Sequence, residues 1–472
     1  MEYKKPTQEM LEKLKEIAPG RVSVGEEISK DYYHDEMTFY GEYAPDAVVA
    51  AASTEEISAV CRLCYENDVP IIPRGAGTGL SGGCVAIAGG VVIDTQKMNR
   101  ILGYDLENFI IRVQAGAYIN DIAEDCAKHH MLYPPDPGEK FATVGGNVST
   151  NAGGMRACKY GTTRDYVRAM TVVMPNGDII RMGAEVSKNC SGYSLLNLMC
   201  GSEGTLGIIT ELSMKIIPQP VMAVSLLAPF ASLDECISCV SKLKMANLDP
   251  QALEFLTRGN VAAIERFLGK TIYPAKCDGV EAEAYLLVTF DAVSEEVMDA
   301  TLEKAADVFV ENGALDVMIY DTADAMRNVW LVRGSCLEAI LADFELTEEC
   351  DVVVPIPQIA NLVNYAVSLE DEIGLELRVC GHAGDGNVHI IVCANGMGRE
   401  EFMEKSEKFV SMVTDKGVEL GGMVSGEHGI GSAKVSYLTK SMGEAQMELM
   451  KSIKKACDPK MLLNPGKVCY SL

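Results

Sequence analysis

The chain has 472 residues, 48% of them hydrophobic, which is more than a single core accommodates, so two or three domains are expected. Against 41 Lys and Arg stand 67 Asp and Glu, a net charge of −26 that would repel a phosphate backbone and argues against nucleic acid as a partner. No apolar run reaches the ~18 residues needed to cross a bilayer, and the opening MEYKKPTQEMLEKLKEIAPG lacks a signal-peptide h-region, so a cytoplasmic protein without integral membrane contact is expected.

After a helical lead-in, residues 45–113 read as a small α/β unit: the strand DAVVAAAS, a helix from Thr54, the strand VPIIPR, a glycine-rich loop and the strand GGVVIDT. Residues 118–131 are expected to be helical. Residues 134–164 are so rich in Gly, Pro, Asn and Thr that ordered loop is expected, of a length that points to function. The strands AMTVVMP and DIIRMG follow, joined at Asn176-Gly177 in a tight hairpin, and two prolines mark a boundary near residue 218. Over 219–420, strands such as AVSLLA, AYLLVTF, DVMIY, DVVVP, LRVCGH and VHIIVCA alternate with amphipathic helices, the pattern of a second α+β domain. The last segment, 421–472, opens with the loop GGMVSGEHGIGSAK, passes through a helix and ends in DPKMLLNPGKV.

The 16 cysteines are expected to be free thiols, as is usual for a cytoplasmic chain. Two pairs have CxxC spacing, Cys61/Cys64 and Cys236/Cys239. Each follows a capping box, Ser53 with Glu56 and Ser232 with Glu235, and sits on a helical apolar stripe. Core packing therefore explains both pairs without a metal or redox role.

The loop PRGAGTGLSGG contains a GxGxxG at Gly77, Gly79 and Gly82, but only eight residues separate Gly82 from the strand at Val91. That leaves no room for the helix a Rossmann fingerprint must open, so a Rossmann nicotinamide site is not expected. A loop this rich in glycine still offers unobstructed backbone N–H groups, the arrangement of an anion nest for a diphosphate. A second run, YPPDPGEKFATVGGNVSTNAGGMRACKYGTTRD, and a third, GSEGTLGIIT, have the same character. Three such loops in one domain point to a large phosphate-bearing cofactor.

The order PRGAGTGLSGG, PPDPG…TVGGNVSTNAGG…KYGTTRDYV, GSEGTLGI, GHAGDGNVH, SGEHGIG and NPGKV resembles the glycolate oxidase large subunit and D-lactate dehydrogenase family, from about residue 40 to the C-terminus. The resemblance implies an α+β protein: a two-part FAD-binding domain of vanillyl-alcohol oxidase type over 1–218, and an α+β cap domain with an antiparallel sheet over 219–420 that receives substrate. The segment 421–472 would return to the FAD site. It further implies that Arg74, Gly75, Gly77, Thr78, Gly79 and Ser81 bind the FAD diphosphate. Pro135, Thr143, Gly146, Asn147, Asn151 and Gly154 would line the adenosine and flavin, with Glu203, Gly207, Ile208 and Asn464 completing the site. No histidine stands in the first loop to attach the flavin covalently, so the FAD is expected to be non-covalent.

Only six histidines occur in the chain, and two of them frame GHAGDGNVH. In the strand NVHIIVCA, His389 shares a face with Ile391 and Cys393, and the Gly-Asp-Gly turn can fold His382 to the same place. With Glu427 of GEHG these would form a two-histidine, one-carboxylate set suited to Zn, Fe(II) or Mn; the alternative is two structural histidines and a surface carboxylate. The resemblance implies the first reading, one divalent metal (Fe, Zn or Mn) on His382, His389 and Glu427, with His428 as the catalytic base. Arg327 and Arg333 flank the only tryptophan; sequence alone leaves Arg333 open between a substrate ligand and a structural arginine, and the resemblance favours a clamp for a carboxylate. Many relatives carry a basic residue just after the VVVP strand, where this chain reads VVVPIPQ.

The implied activity is FAD-dependent oxidation of a small D-2-hydroxy acid, D-lactate or glycolate, to the 2-oxo acid by hydride transfer to flavin N5. No iron–sulfur or haem spacing is present, so a separate electron-accepting protein is expected, an electron-transferring flavoprotein or an iron–sulfur subunit. Two alternatives stand beside it: a redox-neutral transferase resembling alkyl-dihydroxyacetonephosphate synthase, whose run of consecutive histidines is absent here, and a flavin-carrying non-catalytic subunit of an electron-transfer complex.

Overall fold

Ser53 starts the first long helix by accepting the Glu56 N–H on its hydroxyl at 3.2 Å, while the Glu56 carboxylate reaches back to the Ala52 N–H at 2.8 Å. The helix runs Thr54–Asn67 and ends at Asp68, which adopts the left-handed conformation at φ 57°. Its apolar stripe of Ile57, Val60, Cys61 and Cys64 is fully buried against Ile71, Val91 and Ile93. The Cys61/Cys64 pair is therefore core, and burial pushes both thiols up. In this computed structural model, which describes residues 3–472, every cysteine among the described residues is a free thiol.

The chain divides into two compact units. One comprises the chain up to Ala152, Thr162–Gln219 and Glu427–Leu472; the other comprises Gly153–Gly161 and Pro220–Gly426. The first unit holds a four-stranded sheet in the order Val22–Val24, Ala47–Ala50, Val91–Asp94, Ile71–Arg74, with the last three strands parallel. It also holds a five-stranded antiparallel sheet in the order Ile101–Asp105, Ile110–Gln114, Ile208–Lys215, Val167–Val173, Ile179–Gly183. No helix intervenes between Gly82 and the strand at Val91, as the short spacing requires. The hairpin after Val173 closes through a Met174 N–H to Asp178 carbonyl bond, with Gly177 at φ 88°.

Residues 134–164 are not loop throughout: Val144–Thr150 is a helix, and a short helical turn follows at Ala157–Tyr160. Thr143 caps the first of these by accepting the Gly146 N–H at 3.3 Å. Glycine is needed at Gly145 because a Cβ there would come within 2.6 Å of the Ala115 side chain, so its presence marks close packing rather than a loop.

The second unit is built on a seven-stranded antiparallel sheet in the order Met318–Tyr320, Met222–Phe230, Ala284–Ala292, Ala252–Thr257, Glu376–His382, Asn387–Ala394, Leu346–Val353. The central strand Ala252–Thr257 was not among those expected from the pattern. One face of the sheet packs on residues of the helices Arg258–Leu268, Ala323–Gly334 and Cys336–Asp343, among them Ile264, Val329, Val332 and Ile340.

Candidate active site

In the first unit the glycine loops are fastened to one another by the side chains that the motifs single out. Arg74 is buried and donates to the carbonyls of Asp31 at 2.7 Å and His34 at 2.9 Å, so its guanidinium holds the preceding segment rather than facing outward. Ser81 donates to the carbonyls of His428 at 3.2 Å and Gly429 at 3.1 Å. Glu203, at φ 51°, accepts the Ile430 N–H at 2.8 Å and the Gly431 N–H at 2.7 Å. Burial raises its carboxyl, and these N–H donors oppose the rise. Asn464 donates to the carbonyls of Gly83 and Glu203, both at 2.8 Å, and thus ties the NPGK segment to two loops at once. Beneath the first loop, Asp35 accepts the Gly82 N–H at 2.6 Å, and burial pushes its carboxyl up to about 6.

The remaining residues expected at the cofactor divide by how much of them is already used. Thr143 and Gly146 are partners in a helix cap, and a Cβ on Gly75 would overlap the Thr143 hydroxyl, so the first and second loops meet there. Asn151, at φ 54°, accepts from the Thr162 hydroxyl and the Arg164 N–H, both at 3.0 Å. Pro135 is buried, Gly207 packs against Val172, and Ile208 opens the strand beyond it. Gly154, at φ 114°, belongs to the segment Gly153–Gly161 of the second unit. Two observations fit a bound dinucleotide in the first unit. The Asn147 amide nitrogen is buried with no hydrogen-bond partner among the described residues, which calls for an acceptor. The backbone of Gly75–Leu80, including Thr78 and Gly79, is only half-buried, and a Cβ on Gly79 would meet nothing nearer than an Asp35 oxygen at 3.6 Å.

The second unit presents chemistry from strands. The register sets Cys380 opposite His389 and Leu256 opposite Cys380, so His382, His389 and Glu254 all project from one sheet face. The two imidazoles lie edge to face with centroids 5.2 Å apart. His382 Nδ1 is 2.7 Å from Glu254 Oε1, and Arg333 Nε donates to Glu254 Oε2 at 2.8 Å. Burial alone would raise the Glu254 carboxyl, but its contacts with His382 and Arg333 hold it below its ordinary value. Removing one partner from such a buried charged set typically costs about 3–5 kcal/mol. The terminal nitrogens of Arg333 make no hydrogen bond to protein among the described residues.

His389 Nδ1 lies 3.2 Å from Glu349 Oε1 and 3.9 Å from Asp351 Oδ1. Asp351 also accepts from the Ser425 hydroxyl at 2.7 Å and the Gly426 N–H at 3.0 Å, which fixes the chain one residue before Glu427. Both rings thus turn Nδ1 toward carboxylates, a disposition that suits metal binding through the opposite nitrogen. Glu427 and His428 follow on the half-buried loop whose carbonyls Ser81 holds. Glu254, Glu349 and Asp351 were missed in the sequence. The signal available was a lone carboxylate within ALEFLT and another within CDVVV, since a charge in a buried strand demands a partner.

Comparison with known proteins finds two matching family models. A model of the FAD binding domain matches residues 45–183, and a model of the C-terminal domain of FAD linked oxidases matches residues 219–468. A D-lactate dehydrogenase of Anaerostipes hadrus is 55% identical over 471 residues, covering 100% of this chain and 99% of that protein. The glycolate oxidase subunit GlcD of Bacillus subtilis is 37% identical over 438 residues, covering 93% and 91%. Among solved structures, p-cresol methylhydroxylase with substrate bound superposes with a TM-score of 0.79 at 18% identity over 98% of each chain. An alkyldihydroxyacetonephosphate synthase superposes with a TM-score of 0.76 at 19% identity over 99% of this chain and 87% of that one; both likenesses show the fold alone. The chain belongs to the FAD-linked oxidase family, with the vanillyl-alcohol oxidase type of FAD-binding fold. It is an FAD-dependent, D-lactate dehydrogenase-like enzyme, and no helix among the described residues is long and apolar enough to cross a membrane.

Proposed function

We propose that the chain oxidises a small D-2-hydroxy acid, D-lactate or glycolate, to the 2-oxo acid. The observation that carries this reading is Arg333, a largely buried guanidinium held by Glu254 through Nε while its terminal nitrogens make no hydrogen bond to protein among the described residues. It stands against the sheet face that bears His382 and His389. A carboxylate beside a hydroxyl is the ligand such a pairing of fork and imidazoles suits. The whole-length identity to a protein named D-lactate dehydrogenase supports lactate among the candidates.

In this reading residues 1–218 bind FAD, residues 219–420 receive substrate, and residues 421–472 return to the flavin. FAD, when bound, supplies a hydride acceptor at N5. His382, His389 and Glu427 would hold one divalent ion (Fe, Zn or Mn), which would ease loss of the substrate hydroxyl proton. Arg333 binds the substrate carboxylate and sets its C2 hydrogen in place. His428 takes the hydroxyl proton. Electrons then leave to a separate cytoplasmic carrier, an electron-transferring flavoprotein or an iron–sulfur subunit.

An anaerobic titration of the FAD-loaded protein with D-lactate, L-lactate and glycolate tests this. Bleaching of the flavin band by a D-acid or glycolate, lost on chelation and restored by one metal, is expected. A flavin that stays oxidised with every acid, FAD and metal being present, would sink the dehydrogenase reading and favour a transferase or a carrier subunit.

A further inference from the structure

We propose that Glu254 is the positioning residue of this site, one buried carboxylate that sets the ring tautomer of His382 and the direction of Arg333 together. The inference rests on the reading above and deepens it. Glu254 is 0% exposed and sits in the otherwise apolar strand segment ALEFLT. Phe255 pairs with Gly381, which brings Glu254 across from His382. Each oxygen has its own cationic or donor neighbour, Oε1 the ring of His382 and Oε2 the Nε of Arg333.

The consequence follows from donor and acceptor inventories. An ionised carboxylate can only accept, so the hydrogen of a neutral His382 ring must sit on Nδ1, and Nε2 keeps its lone pair. That is the one neutral state in which Nε2 can ligate a cation. A guanidinium can only donate, so engaging Nε on Oε2 fixes the plane of the fork and leaves its terminal nitrogens for an incoming carboxylate. A carboxylate that merely neutralised a buried arginine would have no effect on the imidazole.

The substitution Glu254→Gln separates the two roles. Because Arg333 cannot accept, the new amide must turn its oxygen to Arg333 and its NH2 to His382. Nδ1 must then accept, and the ring hydrogen moves to Nε2. In the FAD-loaded, metal-free full chain with isotope-labelled histidine, long-range proton–nitrogen correlations should show His382 with its hydrogen on Nδ1 in the parent and on Nε2 in Glu254→Gln, with His382→Gln assigning the resonance. Zn2+ or Mn2+ affinity, measured by competition with a chromophoric chelator, should fall roughly 10–100-fold. The same tautomer in both proteins, or metal affinity unchanged within a factor of about two, would overturn the proposal. A parent chain that binds neither ion would remove the metal reading of the site, while the tautomer comparison still decides the part played by Glu254. Should Glu254→Gln not fold, Glu254→Asp carries the test: withdrawing the charge by one methylene should populate both tautomers, and a single unchanged Nδ1–H form would refute the role.

Discussion

Around PRGAGTGLSGG the side chains of Arg74, Ser81, Glu203 and Asn464 bond to neighbouring loops and leave half-buried backbone to meet a ligand, whereas on the seven-stranded sheet the backbone is consumed by the ladder and Glu254, His382 and His389 project from it. The first arrangement suits a large cofactor grasped along its length by main-chain N–H groups. The second suits a small substrate met by a few side chains whose direction is fixed by strand pairing. A substitution in the loops should therefore matter mainly through the path of the chain, and a substitution on the sheet mainly through the group removed.

His428 combines both arrangements, because its carbonyl is fastened by Ser81 while its ring is the proposed base. His428→Ala should lower kcat by about 10²–10⁴-fold with the flavin spectrum and thermal midpoint retained; loss of FAD instead would class it with the loop fasteners. Gly431 tests the loop side: at φ 52°, with any Cβ overlapping the Ser81 carbonyl, Gly431→Ala should destabilise the fold by about 2–5 kcal/mol in denaturant unfolding. Ser81→Ala, which removes only the hydroxyl that donates to the His428 and Gly429 carbonyls, should cost about 1 kcal/mol. If the two variants were equally stable, the contrast between path and side chain would fail.

On the sheet, Arg333→Lys keeps the charge and loses the fork, so steady-state kinetics should show KM for the hydroxy acid rising about 10–100-fold, equivalent to ~1.4–2.8 kcal/mol, with a smaller change in kcat. An unchanged KM would leave Arg333 as a purely structural partner of Glu254. The loop assembly is also expected to respond to pH. Asp35 has its carboxyl raised by burial to about 6 from an ordinary 3.8, so between those values the folded chain holds a proton that the unfolded chain has released. Stability from this group is thus complete below the lower value and is lost as pH rises through the upper one, by about 3 kcal/mol. Asp35→Asn should flatten the stability profile between pH ~4 and ~7, as read by thermal unfolding.

Much of the sheet was legible because strand alternation is a local property. It set His389 on a face with Ile391 and Cys393, the turn after His382 pointed to the same place, and the short run from Gly82 to Val91 excluded a Rossmann helix. What escaped was set by contacts between distant segments. Glu254 acquires its meaning from residues 79 and 128 positions away, and nothing within ALEFLT records them. The helix Val144–Thr150 was hidden for a related reason: Gly145 answers to Ala115 and not to a turn. The carboxylates that face the histidines, Glu349 and Asp351, were likewise visible only once the strand Leu346–Val353 was paired with Asn387–Ala394.

Asn464 and the segment around it lie far along the chain from the loops they hold. The Ile71 N–H bonds the Leu462 carbonyl and the Asn464 N–H returns to the Ile71 carbonyl, so the strand Ile71–Arg74 closes against a segment that is synthesised long after it. The loops at Gly83 and Glu203 wait equally for the Asn464 amide. Cleavage of the chain before Leu462 would leave the glycine motifs in full and remove the clasp that gathers them.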